Sequence, residues 1–224
     1  MKIIAHIYTD FPEKFGIPRQ SGLVPELRGK IVFEPEYRNA DALRGLEGYS
    51  HIWLLWQFSE AVRENWSPTV RPPRLGGKKH QGVFATRSPF RPNPIGLSSV
   101  KLEKIELESK DGPLLYVSGA DLLNGTPIYD IKPYLPFTDC HPEAVGGFAD
   151  DFVDYHLEVQ IADELLAQVP EEKHGALLGV LAQDPRPAYQ NDAARIYGIT
   201  FGTQNIRFQV QERVLTVLEI ETII

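Results

Sequence analysis

Through the first 140 residues the apolar runs are short and are separated by stretches rich in proline, glycine and polar turn residues. Prolines cannot donate to a helix or a central ladder, and glycines mark turns, so this punctuation excludes long helices and leaves short strands. Residues 2–8 and 29–35 read as the first two strands, and 48–58 (Gly-Tyr-Ser-His-Ile-Trp-Leu-Leu-Trp-Gln-Phe) as a buried one, from its aromatic and β-branched content. Residues 97–108 and 114–119 alternate around Asp111-Gly112, a hairpin signal. Asn124-Gly125 marks another turn, and 128–134 fits a further strand. Residues 39–46 have room for one or two helical turns, whereas 66–81 are irregular. Many short strands joined by turns predict a mainly β fold, a barrel or a sandwich.

The pattern changes across 139–154, a Gly- and acid-rich connection. Beyond it, 171–182 carries Ala176, Leu177, Val180 and Leu181 at helical spacing, and Asp184-Pro185-Arg186-Pro187 stops that helix. Three strand-like runs follow at 196–201, 206–210 and 214–220. The expected organisation is a β domain over 1–140 and a small α+β domain, one helix on a three-stranded sheet, over 155–224. No apolar run approaches the ~20 residues that span a bilayer. The first residues read as a strand rather than a signal peptide, and the one cysteine, Cys140, rules out an intramolecular disulfide. His51, His80 and His141 lack ligand spacing. The expectation is a cytoplasmic protein with no structural metal and no membrane partner.

Residues 82–96 (Gly-Val-Phe-Ala-Thr-Arg-Ser-Pro-Phe-Arg-Pro-Asn-Pro-Ile-Gly) open as a short apolar strand and become a loop stiffened by Pro89, Pro92 and Pro94. Such a loop loses little entropy on ordering, so Arg87 and Arg91 can be held in place before a ligand arrives. Other polar groups sit beside strands in the same way: Arg19 and Gln20, Ser59 and Glu60, Asp121 and Asn124. They can gather at one rim of a barrel, mixing cationic forks for a carboxylate or phosphate with acids for hydroxyls or an amine. A small zwitterionic or cationic ligand fits this mixture. No Gly-x-Gly-x-x-Gly, phosphate loop, His-Glu-x-x-His or Gly-x-Ser-x-Gly is present, so a Rossmann-type nucleotide site is not expected. Net charge is −7, yet residues 71–104 hold eight Lys/Arg against the single acid Glu103. That run is either a basic patch for a polyanion or a face neutralised by acids from elsewhere in the fold.

Residues 82–96, Arg71-Pro-Pro-Arg-Leu-Gly-Gly77 and Asn124-Gly-Thr-Pro-Ile-Tyr-Asp-Ile-Lys-Pro-Tyr134 resemble the TrmO (TsaA-like) family of S-adenosylmethionine-dependent tRNA methyltransferases. Phe15-Gly-Ile-Pro-Arg-Gln20 and Ser50-His-Ile-Trp-Leu-Leu-Trp56 extend the likeness over the first two thirds of the chain. Asp184-Pro-Arg-Pro-Ala-Tyr189 with Tyr197-Gly198 resembles the C-terminal extension of bacterial members. The resemblance implies a single-sheet, non-Rossmann β-barrel acting as a homodimer. The implied reaction is methylation of N6 of N6-threonylcarbamoyladenosine at position 37 of a threonine tRNA. By motif position it places S-adenosylmethionine against Pro18, Arg19, Gln20, Ser59, Glu60, Arg87, Leu97, Asp121, Leu122, Leu123 and Asn124. Family members commonly carry His with a polar neighbour where this chain has Ser59 and Glu60.

In that reading Arg19 or Arg87 grips the methionine carboxylate, and Glu60 or Asp121 takes ribose hydroxyls or the amino group. Leu97 and Leu122 wall the adenine. Asp130 is the candidate base, with Lys132 or Arg91 as carbonyl-polarising cations; a strand-end salt bridge and a phosphate contact are the alternative roles. Arg71, Arg74, Lys78 and Lys79 are placed on the anticodon-stem backbone, and Tyr189 or Tyr197 on an exposed loop base, with core packing as the other role for either ring. The partner is RNA rather than DNA. Two other functions fit the same motifs: a non-catalytic tRNA-binding barrel, and a methyltransferase for another RNA base or a small molecule.

Overall fold

The computed structural model describes residues 1–62, 65–76, 79–186 and 192–223. Its first part contains β1 (Ala5–Tyr8), β2 (Arg28–Phe33), β3 (His51–Gln57), β4 (Thr69–Val70), β5 (Gln81–Gly82), β6 (Ile95–Glu106), β7 (Leu114–Ser118) and β8 (Thr126–Pro133). β4 and β5 form a separate two-stranded ribbon, and the other six close a barrel in the order β1-β2-β7-β6-β3-β8. Every pairing in the barrel is antiparallel, and closure leaves no edge exposed to another chain. Register shifts at Leu55/Trp56 and Leu102/Lys104 supply the bends that let β3 and the twelve-residue β6 follow the curve.

Strand parity decides what fills the barrel. On β3, Ile52, Leu54 and Trp56 are buried while Trp53 and Leu55 between them are only partly covered. The run 48–58, expected to be buried throughout, is thus buried on one face, because a barrel covers one face of each strand. Trp56 stands opposite Gly96 in the β3–β6 register. A Cβ added at Gly96 would lie 2.2 Å from Cε2 of the indole, so the missing side chain is the space the ring occupies.

The hairpin around Asp111-Gly112 and the turn at Asn124-Gly125 form as expected, with Gly112 and Gly125 at φ of 80° and 76°. Residues 40–43 make a 3-10 turn capped by Asn39, whose Oδ1 accepts from Asp41 N at 3.0 Å. The opening of residues 82–96 is not a strand beyond Gly82: Val83–Ala85 is a 3-10 turn, closed by Thr86 Oγ1 donating to Val83 O at 2.9 Å.

The connection holds α1 (Pro136–Asp139) and a 3-10 turn, Gly147–Phe152. Then come β9 (Glu158–Gln160), α2 (Asp163–Leu166), α3 (His174–Ala182), β10 (Tyr197–Phe201), β11 (Gln204–Gln211) and β12 (Val214–Thr222). The sheet has four strands, β10-β11-β12-β9, rather than three. β9 runs parallel to β12 and is three residues long with both ends exposed, so it carries too little apolar pattern to be read locally. α3 buries Ala176, Leu177, Val180 and Leu181, the residues its spacing selects.

The two parts share more than a linker. The core of the second part includes Phe11, Val24 and Leu27, which belong to the loop between β1 and β2. Phe11 meets Phe201 edge-on with centroids 5.6 Å apart, and Lys173 Nζ bonds Asp10 Oδ1 at 2.6 Å. Gly16, at φ 96°, lies against Ile199, whose Cγ2 would be 3.3 Å from an added Cβ. The loop is therefore anchored in the C-terminal sheet on either side of residues 18–20.

Candidate active site

A cleft of about 1130 Å³ opens where β3 and β7 end and β6 and β8 begin. Pro18, Arg19 and Gln20 enter it from the β1–β2 loop, Ser59 and Glu60 from the end of β3, and Arg87 and Arg91 from the proline-stiffened loop. Leu97 on β6 and Asp121 and Leu123 after β7 complete the predicted lining, with Arg71 beside them. Phe58, Lys14, Thr69 and Phe148, none of them singled out from the sequence, line it as well. Leu122 and Asn124 do not. Leu122 is wholly buried in the barrel core, and its carbonyl accepts from Thr9 Oγ1 at 2.9 Å. Asn124 Oδ1 accepts from Thr9 N at 3.0 Å, so both residues fix the turn that carries Asp121.

Asp121 is the end of a buried chain of hydrogen bonds. Trp56 Nε1 donates to Ser98 Oγ at 3.0 Å, and Ser98 Oγ donates to Asp121 Oδ1 at 2.7 Å. Burial pushes the Asp121 carboxyl above its ordinary range, against the opposing pull of Ser98 and of the Arg87 charge. Ser98 was not selected from the sequence, although a serine at an inward position of β6, between Gly96 and Val100, is the signal that finds it.

Arg87 Nη1 donates to Gln20 Oε1, which ties the proline-stiffened loop to the β1–β2 loop across the cleft. Arg91 Nη1 donates to Thr86 O at 3.1 Å and Ser88 O at 3.4 Å, fastening its own loop. Desolvation and then the Arg74 charge hold the Arg19 guanidinium below its ordinary value, with Asp184 and Tyr155 opposing. Arg19 is nonetheless exposed, and a guanidinium keeps its charge in a protein. Glu60 pairs with Lys14, Nζ to Oε2 at 3.4 Å, and its carbonyl accepts from the same Nζ at 2.6 Å.

The remaining candidates are placed differently. Arg74 lies over the rings of Phe152 and Tyr155, 5.4 and 5.3 Å from their centroids, and Nη1 donates to Phe152 O at 3.4 Å. Tyr155 OH donates to Asp184 Oδ2 at 2.8 Å, and Asp184 receives two bonds from Arg186 at 2.8 and 3.0 Å. Arg74 thus joins the barrel loops to the C-terminal part instead of standing free for phosphate. Asp130 and Lys132 form an ion pair with each other, 2.9 Å, and neither lines the cleft. Arg71 Nε donates to His80 Nε2 at 3.1 Å, and Lys79 is exposed. Lys101 and Lys104 are paired with Glu103 and Glu106, so the basic run is not one patch. Tyr197 is covered, its ring stacked on Phe208 at 5.8 Å, which excludes it from base stacking. Lys78 and Tyr189 lie outside the described residues.

Residues 6–140 match the family model of the tRNA-methyltransferase O N-terminal domain, and residues 154–223 that of the TrmO C-terminal domain. The chain belongs to the tRNA-methyltransferase O family. The tRNA (adenine(37)-N6)-methyltransferase of Escherichia coli K12 is 41% identical over 226 residues, covering 97% of this chain and 96% of that protein. A Pseudomonas aeruginosa protein named putative S-adenosylmethionine-dependent methyltransferase RcsF is 44% identical over 206 residues, 88% of this chain and 86% of its own length. The crystal structure of TrmO from Pseudomonas aeruginosa superposes with a TM-score of 0.78 at 34% identity, covering 98% of this chain and 97% of that one. The barrel and the C-terminal sheet are therefore family architecture. No helix among the described residues is long and apolar enough to cross a membrane.

Proposed function

We propose that this tRNA adenine-N6 methyltransferase takes its methyl group from S-adenosylmethionine and delivers it to N6 of N6-threonylcarbamoyladenosine at position 37 of a threonine tRNA, as a homodimer. The observation that carries the reading is the convergence of Arg19, Gln20, Arg87 and Asp121, from three separate loops, on one cleft. The donor set fits the cofactor. Guanidinium groups on one side suit its carboxylate, a sheltered carboxylate suits an ammonium or ribose hydroxyl, and Phe58, Leu97 and Leu123 offer apolar walls to a purine.

Bound there, S-adenosylmethionine supplies an electrophilic methyl group on a sulfonium centre. The chain's own task is alignment: Arg87, braced by Gln20, holds a carboxylate, and Asp121, oriented by Ser98, accepts hydrogens from an amine or hydroxyl. The three prolines and the Arg91 staple keep that geometry before ligand arrives, so little order remains to be gained on binding. Arg71, on the cleft lining, and the exposed Lys79 next to the lining residue His80 meet phosphate. A second copy has apolar surface to cover at Phe137, Val145 and Val153, which are 82%, 88% and 74% exposed.

Incubating the protein and methyl-labelled cofactor with threonine tRNA, bearing or lacking the threonylcarbamoyl group, tests the acceptor. Label should enter the modified tRNA alone. Equal labelling of both would overturn the threonylcarbamoyl requirement, and tight cofactor binding with no transfer to either would favour a binding-only barrel.

A further inference from the structure

Rings that stack on RNA bases must be open to solvent, and neither tyrosine suggested by the sequence supplies one among the described residues. Trp66 and Phe84 do. Their centroids are 6.0 Å apart with planes 27° from parallel, and they are 51% and 71% exposed. The β4–β5 ribbon sets their position: Trp66 precedes β4, Phe84 follows β5, and Val83 N donates to Pro68 O at 2.9 Å between the arms. Ser67 Oγ adds a bond to Thr69 O at 2.7 Å. Both arms run directly into the cleft, through Ser67 and Thr69 on one side and Thr86 and Arg87 on the other. The rings therefore stand at its rim on a pre-formed support.

Their surroundings select the occupant. Residues 65–102 contain no Asp or Glu, while Arg71, Lys79 and His80 ride on the same ribbon. A stacked, exposed aromatic pair within an acid-free cationic segment matches a nucleobase attached to phosphate. We propose that Trp66 and Phe84 form a stacking platform for an unpaired base of the RNA loop adjoining the base that enters the cleft. This rests on the tRNA reading above.

The test uses the full chain and a chemically synthesised threonine anticodon stem-loop bearing N6-threonylcarbamoyladenosine at position 37, with Trp66→Ala, Phe84→Ala and the conservative Phe84→Tyr. Losing one base–aromatic stack weakens RNA binding by roughly 5- to 140-fold. The expected result is that loss in both alanine variants, an unchanged dissociation constant for S-adenosylmethionine, and recovery in Phe84→Tyr. Placing an abasic site at the stacked loop position should weaken the parent protein and leave Trp66→Ala indifferent. Unchanged RNA affinity in the alanine variants overturns the platform. So does a change in oligomeric state on size-exclusion with light scattering, which would assign the rings to a contact between copies. Ring-dependent RNA binding without methyl transfer would sink the acceptor assignment and keep the platform, so the two failures are distinguishable.

Discussion

Gly96→Ala probes whether the cleft depends on the indole beneath it. The new Cβ would stand 2.2, 2.3 and 2.5 Å from Cε2, Cζ2 and Cδ2 of Trp56. That ring is 7% exposed and packs on Phe58 with centroids 4.3 Å apart, so it can yield only by shifting toward the cleft it lines. Overpacking of this kind costs about 1–3 kcal/mol. Moving the indole also takes its Nε1 from Ser98 Oγ, leaving a buried hydroxyl short of a donor for about 1–3 kcal/mol more. At about 2–4 °C per kcal/mol for a chain of this size, the melting temperature should fall by roughly 4–24 °C. Because Ser98 orients Asp121, titration calorimetry with S-adenosylmethionine should show weakened binding beyond what unfolding accounts for. Gly82→Ala is the control, since no atom lies within 4 Å of its added Cβ. A melting temperature and cofactor affinity in Gly96→Ala equal to those of the parent would refute the coupling of Trp56, Ser98 and Asp121.

Arg87→Ala should weaken cofactor binding while leaving affinity for unmodified stem-loop RNA near the parent value, and calorimetry showing no loss would remove Arg87 from the cofactor site. Asp121→Asn keeps the oxygen that Ser98 donates to but cannot ionise. Burial raises the folded carboxyl's proton affinity above its unfolded value, so the cost of ionising it is absent at low pH and complete once pH exceeds the raised value. The variant should therefore melt higher than the parent at neutral pH, lose that advantage as pH falls toward the ordinary aspartate range, and bind cofactor less well; a melting curve lower at neutral pH contradicts this. Ile199→Ala removes the buried wall behind Gly16, at about 2–5 kcal/mol. Hydrogen exchange at residues 16–20 should quicken and cofactor affinity drop, whereas unchanged exchange there would mean that the C-terminal sheet does not brace the cofactor loop.

Much of the architecture follows from local chemistry. Alternation on β6 and β7, the Asp111-Gly112 and Asn124-Gly125 turns, and the apolar spacing of α3 each depend on residues within a few positions of one another, and each forms as its sequence predicts. The loops around Arg19, Glu60, Arg87 and Asp121 were readable for the same reason. Polar groups beside strand ends come to one of the two rims once the barrel closes, and these loops share the rim where β3 and β7 end. What the sequence left open depends on partners distant along the chain. Whether Arg74 faces phosphate or the Phe152 and Tyr155 rings is set by how the C-terminal part docks, and whether Asp130 acts on a ligand or pairs with Lys132 by which way that face of β8 turns. The serine behind Asp121 meets its tryptophan across 42 residues, and Asp10 meets Lys173 across 163. The sequence by itself determined a mainly β first part of short strands with polar groups beside their ends, and the structure closed those strands into a barrel. Only the tertiary structure decided that the loop bearing Arg19 is held by the C-terminal sheet, because burying Phe11 and Val24 there removes more apolar surface from water than leaving them on an isolated barrel would.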